Sequence, residues 1–285
     1  MNLHLSRTFK FLLGLIICIF IIYLSQQTYV ITNAILDGHQ ITSAEICKSD
    51  RKDIITSVPN IIHLIWLSKN NSRYPLKNSY QDWSKKYPQY TVKIWRNKNF
   101  EMLINKHYPD FLPLYSSYTS NVQRADMARL MIVHHEGGFY SDMDAYPLND
   151  NLDELHTISD LIFLRTSENL GISNHFFMAS QNHSFLKYAL DNLEQHHRHI
   201  LIHYLAVFTS TGPLFIGKMF REWLDLHPNC SAMILDNHYV YHDSARSWHQ
   251  IDGMIINFFG DYSVIESLMV TFAFIGLVYF VRKYI

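Results

Sequence analysis

Asp142 and Asp144 stand two residues apart in Phe139-Tyr140-Ser141-Asp142-Met143-Asp144, directly after the glycine pair Gly137-Gly138. Carboxylates spaced this way are hard oxygen ligands for Mg2+ or Mn2+, whose sites keep few protein carboxylates and complete the shell with water and substrate phosphates. A diphosphate-linked donor fits that chemistry. Upstream, Asp126 and Arg129 are three apart and so share one face of a helix. There they form either a surface ion pair contributing about a few tenths of a kcal/mol or a pair of contacts to a polar ligand. Far downstream, His242-Asp243 offers two more residue types that bind manganese. Nothing in the spacing says how near they lie to Asp144.

These side chains need elements to hold them. Val122, Ala125, Ala128, Met131 and Ile132 recur at three- and four-residue intervals, which predicts a helix over Asn121–His135 stopped by the glycine pair. A strand through Phe139–Asp144 should follow, with both carboxylates on one face and Met143 on the other. Ile61, Ile62, Leu64 and Ile65 predict a buried first strand of an open α/β sheet, where ligands bind beyond the carboxyl ends of the strands. Trp66 ends that run, placed either to stack a nucleotide base or to fill the core. A helix from Gln81, a strand over Tyr90–Trp95 and a helix over Phe100–His107 continue a βαβ pattern. Leu161–Arg165 and Ile172–Ser180 read as further strands, Phe215–Leu226 as a helix, and Ala232–Tyr241 as a last apolar stretch.

Arg124-Ala125-Asp126…Arg129 followed by Gly137-Gly138-Phe139-Tyr140-x-Asp142-x-Asp144 resembles the sugar-binding region with a DxD motif of a glycosyltransferase family. That family includes the fungal mannosyl-inositol-phosphoceramide synthases, the yeast initiating α-1,6-mannosyltransferase and vertebrate α-1,4-galactosyltransferase, with the glucosylating clostridial toxins as more distant relatives. Val58–Trp66, His107–Leu112, Ser210–Pro213 and His242…Ser247-Trp248-His249 match in the same order, so the resemblance covers roughly residues 58–260. It implies a GT-A-type, Rossmann-like nucleotide-sugar-binding domain with transmembrane helices at both ends. It also implies a metal-dependent, retaining transfer of mannose from GDP-mannose to an inositol-phosphoceramide-like membrane lipid. Carried over by motif, Asp142 and Asp144 hold the metal with His242 or Asp243 as third contact. Asp126 and Arg129 hold sugar hydroxyls, and His63, Trp66, Arg124, Asn174, Ser247 and Trp248 line the donor. Within the same chemistry the donor could be UDP-galactose or UDP-glucose, or the acceptor a glycoprotein glycan. Two other classes stay open, a haloacid-dehalogenase-type phosphatase and a membrane sugar-binding protein without activity.

The 285 residues, 48% hydrophobic, allow one sizeable domain plus a membrane segment or two. With 24 basic and 25 acidic residues the net charge is −1, which argues against nucleic acid as a partner. Arg7 and Lys10 precede the apolar run Phe11–Leu24, which as a helix spans about 21 Å. Arg282-Lys283 follow a second run, Leu268–Val281. The positive-inside rule then puts both basic flanks in the cytosol. The expected organisation is a cytosolic tail at 1–10, a signal anchor at 11–24, a stem at 25–57, a luminal catalytic domain at 58–260 and a second span at 264–282. A Golgi or endoplasmic reticulum membrane is the expected location, and the resemblance adds a hetero-oligomer with a regulatory membrane subunit. Cys47 and Cys230 could pair in an oxidising lumen, and Asn70, Asn182 and Asn229 begin glycosylation sequons.

Overall fold

The computed structural model describes residues 58–68, 79–148, 151–165, 172–197, 203–228, 230–236 and 238–243, with Ile46–Cys47 and positions 15, 19, 22, 25 and 29. Its strands are β1 (Ile46–Cys47), β2 (Ile61–Trp66), β3 (Thr91–Arg96), β4 (Gly138–Ser141), β5 (Ala145–Pro147), β6 (Leu161–Arg165), β7 (Ile172–Ala179), β8 (Ala232–Leu235) and β9 (Val240–His242). The helices are α1 (Tyr80–Lys86), α2 (Asn97–His107), α3 (Leu112–Ser117), α4 (Asn121–Glu136), α5 (Ser184–His196), α6 (His203–Ser210) and α7 (Pro213–Leu226).

Seven strands form one sheet in the order β1-β8-β6-β7-β4-β2-β3, and β5 and β9 form a separate two-stranded ribbon. β2 runs parallel to both β3 and β4, the βαβ arrangement expected from the alternating pattern. Beyond β4 the sheet becomes mixed, because β7 is antiparallel to β4 and β6 while β8 is parallel to β6.

Side chains alternate across each strand, and here the alternation divides the apolar residues between two cores. Ile62, Leu64, Phe139, Ile162, Leu164, Phe176 and Met178 face one side, where Trp83 of α1 and Tyr87 just after it cover them. Tyr140, Leu161, Phe163, Phe177 and Ala179 face the other, against apolar residues of α2, α4, α5 and α7. β7 is buried at all eight positions, so it is a rigid central support.

Two local devices deliver α4 to this sheet. Ser120 caps its start, accepting the Val122 N–H at 3.2 Å, which satisfies one of the amides a helix leaves open at its amino end. At the other end the Gly137 N–H returns to the Val133 carbonyl at 2.8 Å. Gly137 and Gly138 take φ of 68° and 100°, and a Cβ on Gly138 would lie 2.6 Å from the Ile61 carbonyl oxygen. Only glycine admits both the positive φ and that approach of β4 to β2.

Part of the expected stem joins the fold, since β1 pairs with the outer edge of β8, Cys47 opposite Ala232. Cys230 is in a disulfide. Among the described residues no helix is long and apolar enough to cross a membrane. The two apolar runs lie outside those residues, except that Leu15, Ile19 and Ile22 are helical and exposed.

Candidate active site

β4 stops at Ser141, and Asp142-Met143-Asp144 is a turn closed by the Ala145 N–H on the Asp142 carbonyl at 3.1 Å. This corrects the expected continuous strand. The Asp142 N–H is taken by the His175 carbonyl of β7 at 2.8 Å, and Met143 drops into the apolar layer with Trp83. The chain then turns into β5, which pairs with β9 so that Ala145 is opposite His242.

That ribbon closes a gap of about a hundred residues in sequence. His242 Nε2 lies 3.3 Å from Asp144 Oδ1 and 3.8 Å from Asp142 Oδ2. One ligand atom from each of the three residues falls within 4.8 Å of the others. Two carboxylate oxygens and one imidazole nitrogen suit Mn2+, and Mg2+ if water fills the rest of the shell. Between the two sequence candidates for a third contact, His242 meets the carboxylates. Asp243 instead gives its backbone N–H to the Asp144 carbonyl at 2.9 Å. Burial alone would lower the His242 pKa, but the hydrogen bond to Asp144 and the charges of Asp142 and Asp144 raise it.

Behind the turn lies a polar stripe on α4. Gln123, Asp126 and Arg129 recur every three residues and are 7%, 2% and 6% exposed, so of the two readings of the Asp126–Arg129 pair the surface ion pair is ruled out by burial. Arg129 reaches Asp126 at 3.0 Å, Asp142 at 3.3 Å and the Asn174 carbonyl at 2.6 Å, and its guanidinium lies over the Tyr140 ring at 4.6 Å. Asp126 accepts from Asn174 Nδ2 at 3.1 Å and from the Thr211 hydroxyl at 2.7 Å. Burial raises the Asp126 carboxyl to about 6 against the opposing pull of Arg129 and these two donors. The Asp142 carboxyl is raised for the same first reason, with Arg129 pulling down and Asp144 adding to the rise. Tyr140 donates its hydroxyl to Asp142. One guanidinium therefore ties the helix, β7 and the Asp-x-Asp turn together.

Two expected donor contacts lie elsewhere. His63 is fully buried, with Nδ1 accepting from Trp95 Nε1 at 3.0 Å and Nε2 donating to the Gly137 carbonyl at 2.9 Å. With both nitrogens taken by the protein it holds β2 to β3 and to the glycine turn. Arg124 stands two residues from Asp126 on the helix, hence about 160° around it, and its guanidinium sits over Tyr115 at 5.7 Å. Asn174 is in the network, and Trp66 is half-buried at the carboxyl end of β2, packed against the core. Ser247 and Trp248 lie outside the described residues. Sequence reading gave no role to Tyr140, His175 or Thr211. The signal for Thr211 was its place in Ser210–Pro213, where the Thr211 and Gly212 amides both return to the Val207 carbonyl and aim the hydroxyl at Asp126.

The buried imidazole of His63 makes stability sensitive to acid. Burial lowers its pKa from 6.5 to about 4, so the unfolded chain binds the proton first and stability falls as pH drops from about 6.5 toward 4. At 1.36 kcal/mol per unit the loss is about 3 kcal/mol. Urea unfolding at pH 7 and pH 4.5 should show a shallower acid loss for His63→Gln than for the wild type. Equal slopes would assign the acid sensitivity to other groups, such as His175.

Residues 74–177 match the family model for the glycosyltransferase sugar-binding region containing a DXD motif. Among curated proteins, the chain is 30% identical over 210 residues to inositol phosphoceramide mannosyltransferase 1 of Schizosaccharomyces pombe, covering 70% of this chain and 64% of that one. It is 29% identical over 206 residues to mannosyl phosphorylinositol ceramide synthase CSH1 of Saccharomyces cerevisiae, covering 68% and 54% respectively. The chain thus spans less than two thirds of the length of these relatives. Among solved structures, the UDP-bound glycosyltransferase domain from the YGT toxin superimposes with a TM-score of 0.50 at 8% identity, covering 65% of this chain and 80% of that domain. That likeness is one of fold, an α/β glycosyltransferase architecture around a mixed sheet.

Proposed function

Because this chain belongs to the glycosyltransferase family whose sugar-binding region carries a DXD motif, we propose that it is a metal-dependent hexosyltransferase that moves mannose from GDP-mannose to an inositol-phosphoceramide-like lipid. The observation that carries the reading is the meeting of Asp142, Asp144 and His242 beside the buried Asp126–Arg129 pair. The relatives named as inositol phosphoceramide mannosyltransferases favour the acceptor. A membrane-held enzyme facing the lumen of the Golgi or endoplasmic reticulum is the setting in which such a lipid would be met.

Held by Asp142, Asp144 and His242, Mn2+ or Mg2+ would neutralise charge on the departing diphosphate. The chain's own residues do the remaining work. Arg129 keeps Asp142 in place and places positive charge beneath the turn. Asp126, buried and held by Thr211 and Asn174, fixes the Arg129 guanidinium in that position rather than meeting sugar hydroxyls itself. Trp66, at the carboxyl end of β2, stacks the nucleotide base. With retention of configuration, attack from the leaving-group side would let the departing phosphate take the acceptor proton.

The test is a screen of nucleotide sugars with Mn2+, using the full chain and vesicles containing inositol phosphoceramide. GDP-mannose should support transfer to the lipid. Turnover of UDP-sugars alone, or efficient transfer to soluble oligomannose with none to the lipid, would overturn the donor or acceptor assignment. In the same assay Trp66→Ala should raise the donor KM by the equivalent of about 1–3 kcal/mol, the usual contribution of an aromatic stacked on a base. An unchanged KM in a folded variant would return Trp66 to a packing role.

A further inference from the structure

His175 has no part in the metal cluster or in the donor contacts above, yet it touches the metal site by two routes. Its backbone carbonyl accepts the Asp142 N–H at 2.8 Å, fixing the start of the Asp-x-Asp turn. Its ring lies against that of His242 with centroids 4.3 Å apart and planes 6° from parallel. His242 belongs to a three-residue strand in a two-stranded ribbon and needs an external reference for its ring plane. His175 can supply one, because it is 8% exposed on the wholly buried β7 and its own Nδ1 is hydrogen bonded to Ser173 Oγ. The Ser173 hydroxyl also receives the His175 N–H. Its proton is then free to go to Nδ1, which puts the ring hydrogen on Nε2.

We infer that His175 is a positioning residue for the metal centre: its carbonyl sets the Asp142 turn and its flat ring sets the plane in which His242 presents Nε2 to the two carboxylates. One residue of the rigid strand thereby fixes two of the three ligands relative to each other. Among the described residues the His175 Nε2 is buried with no hydrogen-bond partner. A buried donor left unpaired is destabilising, and a phenylalanine in its place would avoid that penalty while keeping the flat face. The inference rests on the metal part of the reading above.

The experiment measures Mn2+ affinity by calorimetry and by electron paramagnetic resonance of free Mn2+, on the full chain without donor or acceptor. If the ring is a platform, His175→Leu should bind Mn2+ about tenfold more weakly, within the range for residues that orient metal ligands, while His175→Phe stays within about threefold of the wild type. An unchanged affinity in folded His175→Leu would overturn the inference. So would a loss in His175→Phe as large as in His175→Leu, which would assign the effect to Nε2 rather than to the ring. Should His175→Leu fail to fold, His175→Phe decides alone: retained affinity supports the platform, a tenfold loss refutes it. A wild-type chain that binds no Mn2+ refutes it as well. Affinity is read without turnover, so a chain that binds Mn2+ but transfers no sugar overturns the transferase reading and not this one.

Discussion

Asp144→Ala should reduce hexosyl transfer by about a thousandfold, equivalent to roughly 4 kcal/mol of transition-state stabilisation, while leaving the fold standing. Both halves follow from where Asp144 sits. Its carboxylate is 34% exposed in the turn, 3.3 Å from His242, and its backbone carbonyl, which accepts the Asp243 N–H at 2.9 Å, survives the substitution. Removing one of two neighbouring carboxylates also relieves repulsion, since Asp144 raises the Asp142 pKa. Circular dichroism and urea midpoints should be close to wild type. Mn2+ affinity should collapse, and saturating Mn2+ should recover only part of the rate. A folded Asp144→Ala variant with normal turnover, or a wild type fully active in excess chelator, would remove the metal from the proposal.

Acid should weaken the same site before it unfolds the chain. Mn2+ needs the neutral imidazole, and the His242 pKa lies above 6.5 because the Asp144 hydrogen bond and both carboxylate charges outweigh its burial. Proton and metal therefore compete, and affinity should decline as pH falls through neutrality. Titrations at pH 6, 7 and 8 would show it. An affinity that is flat over this range would mean that His242 is not a ligand.

How far the sequence foretold this site depended on whether each partner was local. The Asp126–Arg129 pairing is an i, i+3 relation on a helix whose apolar residues recur at three- and four-residue intervals, and it was legible together with Gly137-Gly138 as the stop. The turn at Asp142–Asp144 was misread as strand because alternation over six residues looks the same whether the ladder continues or ends. What ended it was the far side of the sheet, where the β4–β7 pairing stops at Ser141 opposite Phe176. The approach of His242 to Asp144 depends on the β5–β9 ribbon, a pairing of two three-residue strands with no period long enough to detect. His63 was misassigned for a related reason. A histidine in an apolar strand three residues before Trp66 gives no sign that Trp95 and the Gly137 carbonyl already occupy both its nitrogens. Motif order located the site, and long-range pairing decided which of its residues face one another.

The largest effect on stability should come from Arg129, which is not one of the proposed metal ligands. Arg129→Leu removes the only cation within salt-bridge distance of Asp126 and, His242 apart, of Asp142 among the described residues. Asp126 is 2% exposed and has nowhere to turn for water. Leaving one buried partner without the other typically costs 3–5 kcal/mol, so a loss of about 4 kcal/mol is expected, a large share of the roughly 5–15 kcal/mol that holds a domain together. Arg129→Lys keeps the charge but not the fork that reaches Asp126, Asp142 and the Asn174 carbonyl at once, so it should fall between the two. The double variant Asp126→Asn/Arg129→Leu gives the sharper comparison. With the stranded carboxylate neutralised, its loss should be about 1–3 kcal/mol smaller than the sum of the two single losses, the usual size of coupling between contacting residues. The three measurements separate charge pairing from packing. If Arg129→Leu melts like the wild type, or if the single losses simply add, the guanidinium is not holding the helix to the turn. The Mn2+ affinity of Arg129→Lys should then equal that of the wild type, whereas a turn anchored through Asp142 by Arg129 requires it to fall.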